Sequence, residues 1–319
     1  MKLTNGVILV ICFLLLVIVA LPRFNGNQQL VQTEPWDAKY FEAYVDYWRG
    51  NPTEVPIRPA SNWRFLLPML ASMLPFAPNT SLNIINLFCL LGTVFLLNQS
   101  LKVRGVEPKN RLLAGVLFSV SFPVFYYGCI GYVDAGSVFF VALAIYALLV
   151  QKKGLFAIAF LLGLCAKETS LLALPFAGMY ALVQKDYKWV AWIIFLFILS
   201  FPLFAIIRAY APISEGENRY PFWQISEQSF QYNVNRMRTW GALVLSIGLP
   251  GLLYVKKVFG LNQRAFLQPL CLASLAGLFS AFGLFVFSFV STVADGRIVW
   301  HSIFFLLLFI FEPEKELQS

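Results

Sequence analysis

Ten apolar runs occupy most of this chain and leave little sequence from which a water-soluble shell could be built. They are Val7–Leu21, Leu82–Leu101, Leu112–Gly128, Ala135–Val150, Gly154–Ala166, Leu171–Val183, Trp189–Ile207, Trp240–Val255, Ala265–Val290 and Ile298–Phe311. A helix crossing a hydrocarbon core needs about 20 residues, and about 17 at the least. Backbone groups in lipid must be satisfied within their own segment, which selects helices. The runs therefore predict an all-α polytopic membrane protein of about 8–10 membrane helices, forming a single integral membrane domain over residues 1–319. Gly154–Ala166 and Leu171–Val183 fall short of a full crossing. They read as two thin spans or as one re-entrant hairpin, and either returns the chain to the side it left.

Composition agrees. With 59% hydrophobic and 13% charged residues, the chain lies far from the roughly 25% charged content of soluble domains. That argues against a soluble enzyme, a disordered chain and a nucleic-acid-binding module. Lys2 followed by Val7–Leu21 has the outline of a signal peptide. Ile18 is not the small residue a cleavage site needs, and the downstream sequence is also apolar, so an uncleaved first span is expected. The five cysteines (Cys12, Cys89, Cys129, Cys165, Cys271) lie in or beside apolar runs without CxxC spacing. With one histidine in the chain they read as packing residues rather than zinc ligands.

Two stretches are too polar for the bilayer core: a first outer loop, residues 23–81, and a second, residues 208–239. Alternation of the runs sets the sides. With the N-terminus inside, the inner loops hold 13 basic and 5 acidic residues, and the outer loops hold 11 of each. The net charge of +8 is thus a topology signal, placing both termini on the cytoplasmic side of the cell membrane. It is not a nucleic-acid surface. Nine of the twelve arginines fall outside among most of the acids, a composition suited to phosphate and hydroxyl ligands.

The first outer loop contains W-D-A-K-Y-F-E-A-Y-V-D-Y-W-R-G, Trp36 to Gly50. At about 100° per residue, Trp36, Tyr40, Phe41, Tyr44, Val45, Tyr47 and Trp48 share one face, and Lys39, Glu42, Asp46 and Arg49 the other. This predicts an amphipathic helix lying in the membrane interface. Asp37 falls in the apolar face. It reads either as a first-turn acid after an N-cap at Thr33 or as a desolvated carboxylate poised as a general base. Downstream, Arg58 and Arg64 precede a proline-broken apolar segment too short to span, as snorkelling residues or as a phosphate clamp.

Further ionisable residues punctuate the spans. Asp134, in G-Y-V-D, either caps the helix that follows or faces a cavity. Lys167 and Glu168, in A-K-E-T, stand between the two short runs. An ionisable pair at that depth is a functional candidate unless it merely neutralises itself. In A-D-G-R-I-V-W-H, Asp295 and Gly296 signal a turn, and Arg297 and His301 share a helix face four residues apart. His301 reads as a packed neutral residue or as an auxiliary catalytic one. Glu215 and Glu217 have the spacing of a two-carboxylate cation site, which leaves a divalent metal open.

Taken in order, D-x-x-Y (Asp37, Tyr40), N-W-R-F-L-L-P (Asn62 to Pro68), G-Y-V-D (Gly131 to Asp134), A-K-E-T (Ala166 to Thr169) and D-G-R (Asp295 to Arg297) resemble the GT-C superfamily of integral membrane glycosyltransferases, in particular small bacterial mannosyltransferase-like members. The resemblance covers nearly the whole chain, with K-E where related chains often carry R-E. It implies a GT-C-like bundle that transfers a sugar from a polyprenyl-phosphate-linked donor to an acceptor hydroxyl on a glycan, lipid or protein, with inversion and no required cofactor. It further implies Asp37 as general base with Glu34 in reserve, and Arg64, Arg58, Lys167 and Arg297 on the donor phosphate. Asp134 and Glu168 become cavity acids, with His301, Asp295 and Tyr40 as auxiliaries. A carrier or flippase for lipid-linked sugars is the alternative. Transporters commonly pair broken helices across two related halves, whereas one interrupted segment is visible here.

Overall fold

The computed structural model describes residues 3–31, 38–53, 55–57, 62–212, 226–260, 266–291 and 296–312. Among these residues the regular structure is helical, without a strand. The helices are α1 (Asn5–Val31), α2 (Ala38–Trp48), α3 (Leu66–Ser72), α4 (Pro78–Val103), α5 (Pro108–Ser119), α6 (Phe122–Tyr127), α7 (Asp134–Leu149), α8 (Lys153–Ala166), α9 (Ala173–Val183), α10 (Tyr187–Tyr210), α11 (Glu227–Asn235), α12 (Met237–Phe259), α13 (Pro269–Ser291) and α14 (His301–Ile310). Two 3-10 turns, Glu168–Leu172 and Gly296–Val299, precede α9 and α14.

Local chemistry sets several boundaries. Helices α4 and α5 open on Pro78 and Pro108, where the missing N–H would have lacked an intrahelical partner anyway. The Asp186 side chain accepts the Trp189 backbone N–H at 3.1 Å and starts α10. The apolar run 112–128 does not form one helix. It stops at Ser119 and restarts at Phe122 ahead of Pro123, whose ring is tolerated in a first turn and not in a helix interior. Helix α12 kinks at Gly248, with φ 48°, just before Pro250.

Five helical segments among the described residues are long and apolar enough to cross a membrane: Asn5–Phe24, Pro78–Val103, Tyr187–Tyr210, Thr239–Phe259 and Pro269–Ser291. Asp134–Leu149, Lys153–Ala166, Glu168–Val183 and Gly296–Ile310 are apolar but shorter. This is the build of an all-α membrane protein. The longer helices α10, α12 and α13 leave Ile198, Val244, Leu252 and Phe279 more than half exposed. By contrast, α14 is buried on every side from His301 to Phe309. Being apolar all round, it can only sit in the middle of the bundle.

Side-chain bonds order the two ends of the bundle. At one end, Asn5 Oδ1 accepts from Asn98 at 3.0 Å and from Arg111 at 2.6 Å, and Arg104 pairs with Glu312 at 2.6 Å. The beginning of α1, the end of α4 and the end of α14 therefore meet there. Trp189 bonds Gln151, and Trp192 donates to the Lys153 carbonyl at 3.3 Å. The start of α10 thus lies beside the start of α8, so residues 153–183 leave and return on the same side. The opposite end gathers the starts of α4 and α7 and the junction of α8 with its 3-10 turn. It carries the charged residues discussed below.

Helix α2 forms where expected, with a different division of its faces. Tyr40, Phe41, Tyr44 and Val45 are buried, whereas Tyr47 and Trp48 are exposed, their rings edge to face at 5.7 Å. The charged face is not left to solvent. Arg49 donates to the carbonyls of Leu74 at 2.7 Å and Phe76 at 2.8 Å, closing the chain after α3. Glu42 points at the start of α4 and accepts from Asn79 at 2.7 Å. Trp36, Asp37 and the expected cap Thr33 lie outside the described residues.

Small residues let the helices approach, as in membrane bundles generally. A Cβ built on Gly277 of α13 would stand 2.5 Å from the Phe305 ring. That ring is fully buried and stacks on Phe176 at 5.0 Å, so it has nowhere to swing. Gly277→Leu is expected to destabilise the protein by about 1–3 kcal/mol, as overpacked cores do. A thermal unfolding curve in detergent checks this, and a midpoint equal to wild type would show that the α13–α14 contact yields.

Candidate functional site

Charge arrives at one place from four separated stretches of sequence. Asp134 is the first residue of α7, Lys167 and Glu168 join α8 to its 3-10 turn, Arg64 lies just before α3, and Arg297 lies in the turn before α14. Lys167 forms an ion pair with Asp134 Oδ1, and Arg297 Nη1 stands 3.9 Å from Asp134 Oδ2. Arg64 grips Glu168 with both arms of its fork, Nε to Oε2 at 2.9 Å and Nη2 to Oε1 at 2.5 Å. The Trp63 indole adds a third donor to Glu168 at 3.3 Å.

Two simpler readings of these residues fail on geometry. Val133, not Asp134, occupies the cap position of α7, and the Asp134 carboxylate makes no cap bond. Its oxygens are directed at Lys167 and Arg297 instead. Lys167 and Glu168 do not pair with one another either. The chain is extended at Lys167, with φ −168° and ψ 142°, and successive side chains of extended backbone point opposite ways. Each therefore reaches a different partner.

The backbone around these groups is held by amides at the start of α4, of which Asn83 and Asn86 fall in the expected apolar run Leu82–Leu101 and Asn79 in the first outer loop. Asn79, Asn83 and Asn86 lie on one face of α4. Asn83 Oδ1 accepts the Gly131 N–H at 2.7 Å, its amide donates to Asn79 at 2.6 Å, and Asn86 donates to the Tyr132 carbonyl at 2.6 Å. Gly131 takes φ +72°, and a Cβ there would lie 3.3 Å from that of Ala38. The turn fixed in this way presents Asp134, and it sets the Tyr132 ring 4.3 Å from the Arg297 guanidinium carbon. The spacing N-x-x-x-N-x-x-N, with three costly amides on one face of an apolar helix, was the available signal.

A second set of polar groups lies beside the charges. His301 is fully buried. Its Nε2 stands 2.9 Å from Ser137 Oγ and 3.3 Å from Thr169 Oγ1, and its Nδ1 stands 3.4 Å from the Ile298 carbonyl. Ser137 in turn reaches Thr169 at 2.9 Å and Ser170 at 3.0 Å. A proton on Nδ1 donates to Ile298 and leaves Nε2 to accept from Ser137, which satisfies both nitrogens. The network joins α7, the turn after α8 and α14 without touching either ion pair.

Arg64 is steadied from the loop side. Asn62 is buried, accepts the Tyr44 hydroxyl at its carbonyl at 2.8 Å and donates to the Pro212 carbonyl at 3.0 Å. The Arg208 guanidinium carbon lies 5.0 Å from the Trp63 ring centre. Trp63 and Arg208 were not among the sequence candidates. Glu34, Asp37, Arg58, Asp295, Glu215 and Glu217 lie outside the described residues, and Tyr40 is buried in α2, with Lys39 Nζ 5.3 Å from its ring centre. Among the described residues no group of three or more His, Cys, Asp or Glu side chains could hold a metal ion. No protein-family model matches the chain, and neither a curated protein nor a solved structure does.

Breaking the inner ion pair should be costly. Lys167 and Asp134 are almost fully enclosed, so Lys167→Met leaves a buried carboxylate whose nearest ion-pair partner is Arg297 at 3.9 Å. A loss of about 3–5 kcal/mol is expected. The double variant Lys167→Met/Asp134→Leu should recover more than half of it, because replacing both charges removes the unpaired one. Thermal unfolding of the three proteins measures this, and a single variant as stable as wild type would contradict it.

Glu42 gives a separate test. Burial pushes its carboxyl above the usual carboxylate range, the bond from Asn79 pulls it down in part, and Asp46 adds to the rise. A raised acid contributes stability below its ordinary value of 4.5 and loses it as pH climbs through the folded value. Glu42→Gln should therefore be more stable than wild type at pH 7–8, with the gap closing as pH falls below 4.5. A gap that widens on acidification would reverse the sign.

Proposed function

We propose that the protein is a membrane glycosyltransferase with a GT-C-like bundle. It moves a sugar from a polyprenyl-phosphate-linked donor to an acceptor hydroxyl on a glycan, lipid or protein, at the outer face of the cell membrane. The observation that carries this reading is the gathering of Arg64, Lys167 and Arg297 around Asp134 and Glu168 from distant parts of the chain. Ionisable groups are expensive in an apolar bundle and persist where they serve a ligand or a reaction.

Transfer requires little covalent chemistry of the protein. The acceptor oxygen forms a bond to the anomeric carbon as its proton passes to a carboxylate. The bond from that carbon to the phosphate oxygen breaks, and its electron pair leaves with the phosphate. Attack opposite the phosphate inverts the anomeric centre. Arg64, Lys167 and Arg297 supply positive potential where negative charge develops, in surroundings that screen it poorly. Asp37, the residue that precedes α2 in sequence, is assigned the proton, with Glu34 in reserve. The reaction as written needs no cofactor.

The test uses full-length protein in nanodiscs with a panel of polyprenyl-phosphate sugars and candidate acceptors. Sugar transfer that depends on the lipid phosphate is expected. Asp37→Asn should lower kcat by about 100- to 10,000-fold, the usual contribution of a positioned base, while thermal unfolding stays at the wild-type midpoint. Wild-type turnover by that variant would remove the base assignment. Movement of labelled lipid-linked sugar across vesicles with no new glycosidic bond would favour a carrier instead.

A further inference from the structure

The two ion pairs of the site differ in how they meet their surroundings. The Lys167 and Asp134 side chains are 7% and 2% exposed, those of Arg64 and Glu168 18% and 24%. The inner pair has Arg297 3.9 Å from Asp134, with the Tyr132 ring against that guanidinium, and it adjoins the turn that Asn83 and Asn86 fix. The outer pair is the more exposed of the two, and so the one a ligand could reach.

Glu168 also sits in an arrangement built for an anion. It receives both arms of the Arg64 fork and the Trp63 indole N–H. The Arg208 guanidinium carbon lies 5.0 Å from the centre of the same indole ring. A guanidinium fork matches phosphate oxygens as well as it matches a carboxylate.

We propose that Glu168 is an internal stand-in for a ligand phosphate: the Arg64–Glu168 pair opens and Arg64 transfers to the phosphate, while the Lys167–Asp134 pair stays closed. This rests on the reading of the site as a donor-phosphate pocket and divides its cations by role. Arg64 makes the exchangeable contact, and Lys167 contributes fixed field. No covalent bond changes in the exchange. One bidentate ion pair is traded for another, so the carboxylate competes with the ligand and holds the affinity down.

The consequence has an unusual sign. Removing the Glu168 charge should tighten binding of a phosphate. The experiment is equilibrium binding of a ten-carbon isoprenyl phosphate to the full-length protein in phosphatidylcholine nanodiscs. Glu168→Gln should bind about tenfold more tightly than wild type, and Arg64→Gln about tenfold more weakly, the size of a lost charge-assisted contact. Unchanged or weakened binding by Glu168→Gln, in protein with a normal melting curve, would overturn the proposal. The wild type supplies a measurement independent of the variant's folding. Its infrared difference spectrum on saturation should show a shifted carboxylate stretch, and a spectrum without one would also overturn it.

Two competition arms, with three outcomes, identify the source of the phosphate. Competition by inorganic phosphate at equal concentration would make the lipid unnecessary. Competition by phosphatidylglycerol in the nanodisc would assign the exchange to bilayer headgroups, and competition by neither would assign it to the isoprenyl phosphate. The first two outcomes overturn the donor-lipid assignment, and the third supports it. Exchange without any sugar transfer would remove the transferase reading alone, whereas transfer without a gain in Glu168→Gln would remove this proposal alone.

Discussion

The Lys167–Asp134 ion pair is the contact on which the arrangement of the site depends. A charge enclosed in an apolar bundle must be partnered, and either residue alone would be strongly destabilising. Their pairing therefore dictates that the start of α7 and the end of α8 stand together. Much of the local detail serves that meeting. The α4 amides hold the turn that begins α7, and Gly163 lets Ser170 come within about 3 Å of the place its Cβ would take, so the turn after Lys167 folds against α8. The histidine and hydroxyl network then ties α14 to the same junction. With α14 in place, Arg297 reaches the other oxygen of Asp134.

The apolar helices were legible in the sequence, because hydropathy decides which segments leave water, although among the described residues five rather than 8–10 are long enough to cross a membrane, and the polar helix α11 was not legible. Pro78, Pro108 and Asp186 mark helix starts by the chemistry of the first turn. The break at Ser121 was less visible, since Pro123 lies inside an otherwise uniform apolar run. Depth was not visible at all. Nothing in a ten-residue apolar segment distinguishes a central helix such as α14 from a peripheral one, because burial is decided by neighbours.

For the site, the sequence showed which residues were costly and not which would meet. Asp134, Lys167, Glu168, Arg64 and Arg297 stood out because each interrupts or borders an apolar run. Their pairing was not readable: Lys167 and Glu168 are adjacent, and the adjacent pairing is the one the extended backbone forbids. Asn83 and Asn86 do not stand out in the run Leu82–Leu101 because polar residues dilute a hydropathy average only slightly, although their spacing puts them on one face with Asn79. Glu42 illustrates the converse error. Amphipathic periodicity assigned it to solvent, whereas α2 is covered on that side by the start of α4.

Cations alone do not distinguish the site, since the other end of the bundle is also basic. The difference lies in what the cations meet. At that other end, Lys257 donates to the carbonyls of Phe309, Ile310 and Glu312, Arg111 donates to amide oxygens, and Arg104 pairs with Glu312. Lys257 in particular completes the end of α14, and a ligand taking it would leave helix carbonyls without donors. At the site, Arg64 meets a side-chain carboxylate belonging to a turn. In the exchange proposed above, an anion replaces that carboxylate without taking a donor from any helix carbonyl. Lys257 thus acts as a structural cap at one end of the bundle, whereas at the other Arg64 holds the carboxylate contact proposed above to exchange with an anion, and the partner decides which.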